Sequence, residues 1–347
     1  LLAALLGVVA GSTSAQAAEP APPPATPGVV IGGHNFIHSV ADLDRTLAFY
    51  REVFKLEADK PPGKPAAIAA IQALTDSSGA AFRATALKIP GAGFELELTE
   101  FSGVALHPAH PKVQDPGASM LALIVRDIEG VAERARRQGA EVITTGGKPI
   151  HQGGEGAPGS RALFLRDPDG AAIEVLQMDQ PPASPPAGTP PAGEVVLSGG
   201  FGQTVADLDR SARFWKHFGV ELAAPPAKPG AAATMAISAT ENASFRAAPA
   251  RIPGTSFSWI VLEFGGIERT PLQRAVRDPG APAISLAVRD LDEAIAAAKQ
   301  AGAAFISRDN QPLRGPDGRS GSIFMRDPDG FPFELIQSAL APAKRAD

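Results

Sequence analysis

The chain of 347 residues contains no cysteine. A disulfide framework, a thiolate nucleophile and a cysteine-ligated zinc centre are therefore excluded. Cationic excess is also missing: 32 Lys and Arg stand against 37 Asp and Glu, a net charge of −5. Such a chain offers no basic stripe along which to track phosphates, so nucleic-acid binding is set aside. Ser and Asp are scattered without an elbow motif, so no Ser-His-Asp arrangement can be argued. The apolar N-terminal stretch "LLAALLGVVAGSTSAQAAEP" is too short to span a bilayer, and no stable membrane anchor is expected. It runs into Ala15-Gln16-Ala17, the small-x-small pattern of a signal-peptidase site, so residues 1–17 are expected to be signal sequence of a periplasmic or secreted protein.

What the sequence does contain, it contains twice. "SVADLDRTLAFY" at Ser39 returns as "TVADLDRSARFW" at Thr204, and "FLRDPDGAAIEVLQ" at Phe164 as "FMRDPDGFPFELIQ" at Phe324. "FRATALKIPGAGFELELTEF" at Phe82 likewise returns as "FRAAPARIPGTSFSWIVLEF" at Phe245, and Glu97 is equated with Glu263 at an offset of 166. Proline-rich stretches at 18–29 and 180–193 read as extended linkers. They divide the chain into domains at 30–179 and 194–339, with a tail at 340–347.

Within each copy the order strand, helix, strands occurs twice. Asp42 or Asp44 caps a first amphipathic helix and Asp127 starts a second, β-like runs lie around Ala66–Leu74, Ala81–Ile89 and Phe94–Glu100, and Asp167-Pro168-Asp169-Gly170 turns a hairpin. The expected fold is α+β: two tandem domains, each of two βαβββ modules, four modules in all.

The motifs "VADLDRTLAFY", "ELELTEF", "LIVRDIEGVAERARRQGAEV" and "LFLRDPDGAAIEVLQ", with their counterparts after Thr204, resemble the vicinal oxygen chelate superfamily of glyoxalases, bleomycin-resistance proteins and extradiol dioxygenases. The resemblance implies that paired modules curl into open mixed-sheet barrels whose clefts hold a divalent metal acting as a Lewis acid. It places the four ligands on first and last strands. In the first copy these positions read Asn35, Glu97, Met120 and Glu174, with His34 beside Asn35; in the second they read Gly200, Glu263, Ala283 and Glu334. Only the glutamates match the family pattern, and a one-residue bulge in the first strand would bring in His34 as a further metal ligand beside Glu97 and Glu174. Two carboxylates without imidazole suit a weakly held Mg, Mn or Ca better than Zn. Without a metal, two neighbouring glutamates would raise the pKa of one and supply a general acid or base. Alternatively Arg83, Arg161 or Arg166 satisfies them.

His38 is expected on the helix-facing side of its strand as a hydrogen-bonded core residue. His151 lies in a Gly-rich loop that could cover a cleft. Two functions stay open: a metal-free binder of a small molecule, or a metal-dependent lyase, isomerase or dioxygenase using Glu97 and Glu174. Arg83, Asn35, Met120 and His151 are expected to line the cleft.

Overall fold

The computed structural model describes residues 28–338 except 109, 154–158, 181–194, 224–227, 230–231, 253–254, 256 and 281. The expected signal segment, the tail and nearly all of both proline-rich linkers lie outside the described residues. Module 1 runs β1 (Val30–Val40), α1 (Leu43–Phe54), α2 (Ala69–Leu74), β2 (Ala81–Lys88) and β3 (Glu95–Ser102). Module 2 runs β4 (Ser119–Val125), α3 (Ile128–Arg137), β5 (Ile150–Gln152), β6 (Ser160–Arg166) and β7 (Ala172–Met178). Module 3 runs β8 (Val196–Thr204), α4 (Leu208–Lys216), β9 (Glu221–Leu222), β10 (Lys228–Pro229), α5 (Ala232–Ser238), β11 (Ser244–Arg251) and β12 (Trp259–Gly265). Module 4 runs β13 (Ala283–Val288), α6 (Leu291–Ala301), β14 (Ala304–Phe305), β15 (Leu313–Arg314), β16 (Gly321–Arg326) and β17 (Pro332–Gln337). Where a β-like run was expected at Ala66–Leu74, Ala66 makes a single bridge to Phe82 and the following Ala-Ala-Ile-Gln-Ala-Leu forms α2. Its alanine, leucine and glutamine are strong helix formers.

Each module starts its long helix in the same way. Asp42, Asp127, Asp207 and Asp290 accept hydrogen bonds from backbone N–H groups of the first turn, satisfying donors that a helix leaves unpaired. A second acceptor reaches over from the module's last long strand. Glu100 takes Leu43 N, Gln177 takes Ile128 N, Glu263 takes Leu208 N and Gln337 takes Leu291 N, at 2.7–2.9 Å.

The strands form two open mixed sheets. Sheet A has the order β14-β16-β17-β13-β1-β3-β2 with β15 on β16, and sheet B the order β10-β11-β12-β8-β4-β7-β6-β5 with β9 on β11. The α+β class and the pairing of modules into sheets are as expected, but the partners differ. Module 1 shares sheet A with module 4, and module 2 shares sheet B with module 3, each pair joined antiparallel through its first strands. All four modules present a similar first-strand edge, so the repeat pattern suits either pairing, in the manner of exchanged identical elements.

Each repeat is nevertheless stitched between the sheets by its Asp-Pro-Asp-Gly turn. Asp167 accepts from the backbone of Asp169 and Ala171 and pairs with His38 of β1, while Asp169 accepts from Ala41 N, Arg45 and Thr46. Asp327 and Asp329 repeat the arrangement with Gln203, Ala206 N and Arg210. One apolar core spans all four modules, including Phe36, Tyr50, Leu123, Phe201, Trp215, Trp259, Ile284 and Phe333. Period-2 alternation places the neighbours of these strand residues on the opposite sheet face, where each sheet forms a cleft. Among the described residues no helix is long and apolar enough to cross a membrane.

Candidate functional site

The second helix cap fixes which positions correspond. Glu100, Gln177, Glu263 and Gln337 play one role in the four modules, so the cleft position three residues before each is Glu97, Glu174, Ile260 and Glu334. Glu263 thus corresponds to Glu100. The expected match of Glu97 with Glu263 is corrected by three residues: both Glu100 and Glu263 bind the arginine of the preceding strand, Arg83 or Arg246, as well as a helix N-terminus. The repeats beginning at Phe82 and Phe245 run at a constant offset of 163, which itself equates Glu100 with Glu263, and the backbone pairing of Ile37 with Glu97 and of Gly202 with Ile260 agrees.

The expected partnership of Glu97 with Glu174 is also corrected, because they lie on different sheets. Glu97 shares cleft A with Glu334. Asn35 donates to Glu97 at 2.7 Å and Ser285 donates to Glu334 at 2.7 Å. Around them is a cavity of about 260 Å³ lined by Ile37, Leu74, Phe82, Phe101, Phe324 and Ile336, with His34 at its edge. Helix α2 covers it through Ile71 and Leu74, held by Ser307 Oγ donating to Leu74 O at 2.8 Å. Burial pushes the Glu334 carboxyl up to about 7, with the Glu97 charge adding and the Ser285 hydrogen bond opposing. Burial likewise raises Glu97, against the Asn35 hydrogen bond.

Cleft B follows the same backbone plan with different contents. Met120, Ala122, Ala162, Phe164, Ile260, Leu262 and Phe264 pack together, and α5 closes over them with Met235 and Ile237. Gly202 lies under Met120, where a Cβ would stand 2.7 Å from the Met120 Cγ. Glu174 is buried here, 2 % exposed. Met120 is therefore a packed core residue.

The other expected cleft residues, Arg83 and His151, and the arginines expected to satisfy the two glutamates are placed elsewhere. Arg83 serves Glu100 and Asp44, Arg161 pairs with Glu129 and Arg166 with Glu141. His151 is exposed and pairs with Asp179 at 2.8 Å. None of these lines the cavity of cleft A.

The four positions implied for metal ligands read Asn35, Glu97, Ala283 and Glu334 in cleft A, and Gly200, Ile260, Met120 and Glu174 in cleft B. Neither set fits a tightly held divalent ion. Cleft B has one carboxylate among non-ligands, and in cleft A the Asn35 amide points its N–H at Glu97. Sequence reasoning did not raise His38, Asp167 and Asp169 as a group, yet one ligand atom from each lies within 4.8 Å of the others. Their atoms are already engaged. Asp167 and Asp169 accept from Ala41 N, Arg45, Thr46, Tyr50 and two turn amides, and His38 Nε2 meets Asp167 at 2.5 Å. Burial works against the His38 charge, but Asp167 prevails and holds the imidazole pKa above its ordinary value. That is the chemistry of a buried ion pair.

Residues 33–175 match the model of the Glyoxalase/Bleomycin resistance protein/Dioxygenase superfamily, and residues 201–336 match that of the Glyoxalase-like domain. Among curated proteins, lactoylglutathione lyase GLX1 of Arabidopsis thaliana is 28% identical over 187 residues, covering 54% of each chain. A putative lactoylglutathione lyase of Brassica oleracea var. gemmifera is 27% identical over the same length. The chain thus aligns with about half the length of the curated relatives it matches. In fold it is similar to glyoxalase I from Zea mays, with a TM-score of 0.56 at 18% identity over 88% of this chain and 92% of that one. A putative dioxygenase from Bacillus subtilis gives 0.50 at 12% identity over 90% and 87%.

Proposed function

Because the chain belongs to the glyoxalase, bleomycin resistance protein and dioxygenase superfamily and carries two of its domains in tandem, we propose that it is a one-site small-molecule binding protein. The ligand occupies cleft A, between the first repeat's β1 and β3 and the second repeat's β13 and β17. Cleft B is its structural counterpart. The observation carrying this reading is the cavity of about 260 Å³ in sheet A, set against an apolar core at the corresponding place in sheet B. A mostly apolar cavity with a few convergent polar groups is the usual form of a ligand site. Calorimetric titration with benzyl alcohol tests it. Binding that disappears in Ile37→Trp, which fills the cavity, supports the reading; binding unchanged by that substitution overturns it.

A second reading has one specific observation in its favour. Glu334, held near neutrality by burial, is poised to exchange a proton with a small oxygenated substrate, and the relatives include lactoylglutathione lyases. Formation or consumption of lactoylglutathione that is lost in Glu334→Gln supports this reading; absence of turnover contradicts it for that substrate. Residues 1–17 support action outside the cytoplasm. Recovery of the natural protein from the periplasm or medium with Ala18 at its N-terminus is the expected result, and recovery from the cytosol overturns it.

A further inference from the structure

Taking cleft A as a small-molecule site, its polar inventory restricts what can enter. The hydroxyl protons around the cavity are committed within the protein. Ser285 and Ser322 bond to Glu334, and Thr75 donates to Ile71 O. Ser39 donates to Val276 O, so the Thr99 hydroxyl donates to Ser39 Oγ. Asn35 spends one amide proton on Glu97. The cavity therefore offers a ligand mainly acceptors, apart from the second Asn35 N–H and the edge imidazole of His34. No lysine or arginine lines it. The charge of Glu97 reaches Glu334, both carboxylates line the cavity, and Phe82 and Phe101 stand with ring centroids 5.2 Å apart in its wall.

We infer that cleft A takes a compact organic cation, an amine whose ammonium group sits between Glu97 and Glu334 while its hydrocarbon body packs on Phe82, Phe101 and Phe324. An ammonium group brings three donors and no acceptor, matching a floor made of acceptors. Its charge relieves the repulsion between the two carboxylates, and aromatic faces attract cations. A carboxylate or phosphate ligand would meet two like charges with no counter-cation, an arrangement that selects against it.

The test uses three near-isosteric probes, benzylamine, benzyl alcohol and benzoate, titrated into the full chain at pH 8. Benzylamine should bind roughly tenfold more tightly than benzyl alcohol, with benzoate weakest. In Glu334→Gln, and separately in Glu97→Gln, the preference for benzylamine over benzyl alcohol should fall below about threefold, with detectable benzyl alcohol binding retained. Both substitutions keep the side-chain shape, and benzyl alcohol binding reports that the cavity is intact. Benzyl alcohol binding as tightly as benzylamine overturns the cation inference and leaves the small-molecule reading standing. Failure of all three probes to bind overturns both.

Discussion

Clefts A and B are built on the same plan and differ in what fills them. Five polar side chains of cleft A, Asn35, Glu97, Thr99, Ser285 and Ser322, correspond by register to Gly200, Ile260, Leu262, Ala122 and Ala162 in cleft B. The bulk at one further pair is exchanged: Ile37 faces Ala283 in sheet A, and Gly202 faces Met120 in sheet B. Apolar side chains gain by closing on one another, whereas polar groups must keep partners and cannot be packed into hydrocarbon without penalty. A collapsed cleft and a hollow one can thus arise on one backbone from a handful of inward positions.

The largest expected effect separates the two interiors by truncation at corresponding places. Phe264→Ala in cleft B should cost about 3–5 kcal/mol, the range for an aromatic removed from a close-packed core. Phe101→Ala should cost less than half as much, because its ring borders existing space. Chemical denaturation of both variants checks the ratio, and equal losses would break the comparison.

Next in size is the pH dependence of cleft A. Glu334 has a folded pKa of about 7, raised above the ordinary 4.5. The stability it contributes is full below about pH 4.5 and is lost as pH rises through about 7. Glu334→Gln should therefore match the parent at pH 4.5 and exceed it above pH 7 by on the order of 2–3 kcal/mol. Asp327, also raised to about 7, contributes the same trend to parent and variant alike, so the difference between their stability curves isolates Glu334.

Giving cleft A two of the residues of cleft B, Glu97→Ile with Thr99→Leu, should stabilise by about 1–2 kcal/mol if α2 closes over them, and should abolish benzyl alcohol binding. Stability unchanged with binding retained would show that contents alone do not close the cleft. The smallest contrast should be no contrast: Asp42→Ala and Asp207→Ala each remove one helix cap and should each cost about 1 kcal/mol, since the two sheets start these helices alike.

Much of this plan was legible in the sequence. The four helix-capping aspartates and the duplicated Asp-Pro-Asp-Gly turns mark the modules, because local hydrogen bonding makes those residue types necessary where they stand. Glu97 and Glu334 were also identifiable, each as a member of its own repeat. Their meeting in one cleft was not, because strand pairing between repeats depends on edges that all four modules share. The offset error at Glu263 has another origin. A helix-capping glutamate and a cleft glutamate lie three residues apart on β3, and the repeats beginning at Phe82 and Phe245, read at their constant offset of 163, equate Glu263 with the capping one, as its hydrogen bond to Leu208 N bears out. The hollow in cleft A was hidden too, since it depends on residues from distant strands arriving at one face.

The most direct measurement follows side-chain methyl resonances during a titration with benzyl alcohol. Shifts confined to the methyl-bearing residues that line cleft A, among them Ile37, Ile71, Leu74, Val276, Leu313 and Ile336, are expected, saturating together as one site. Shifts at Met120, Ile260 and Leu262, or two separate saturating processes, would contradict the assignment of cleft A as the ligand site and cleft B as its filled counterpart.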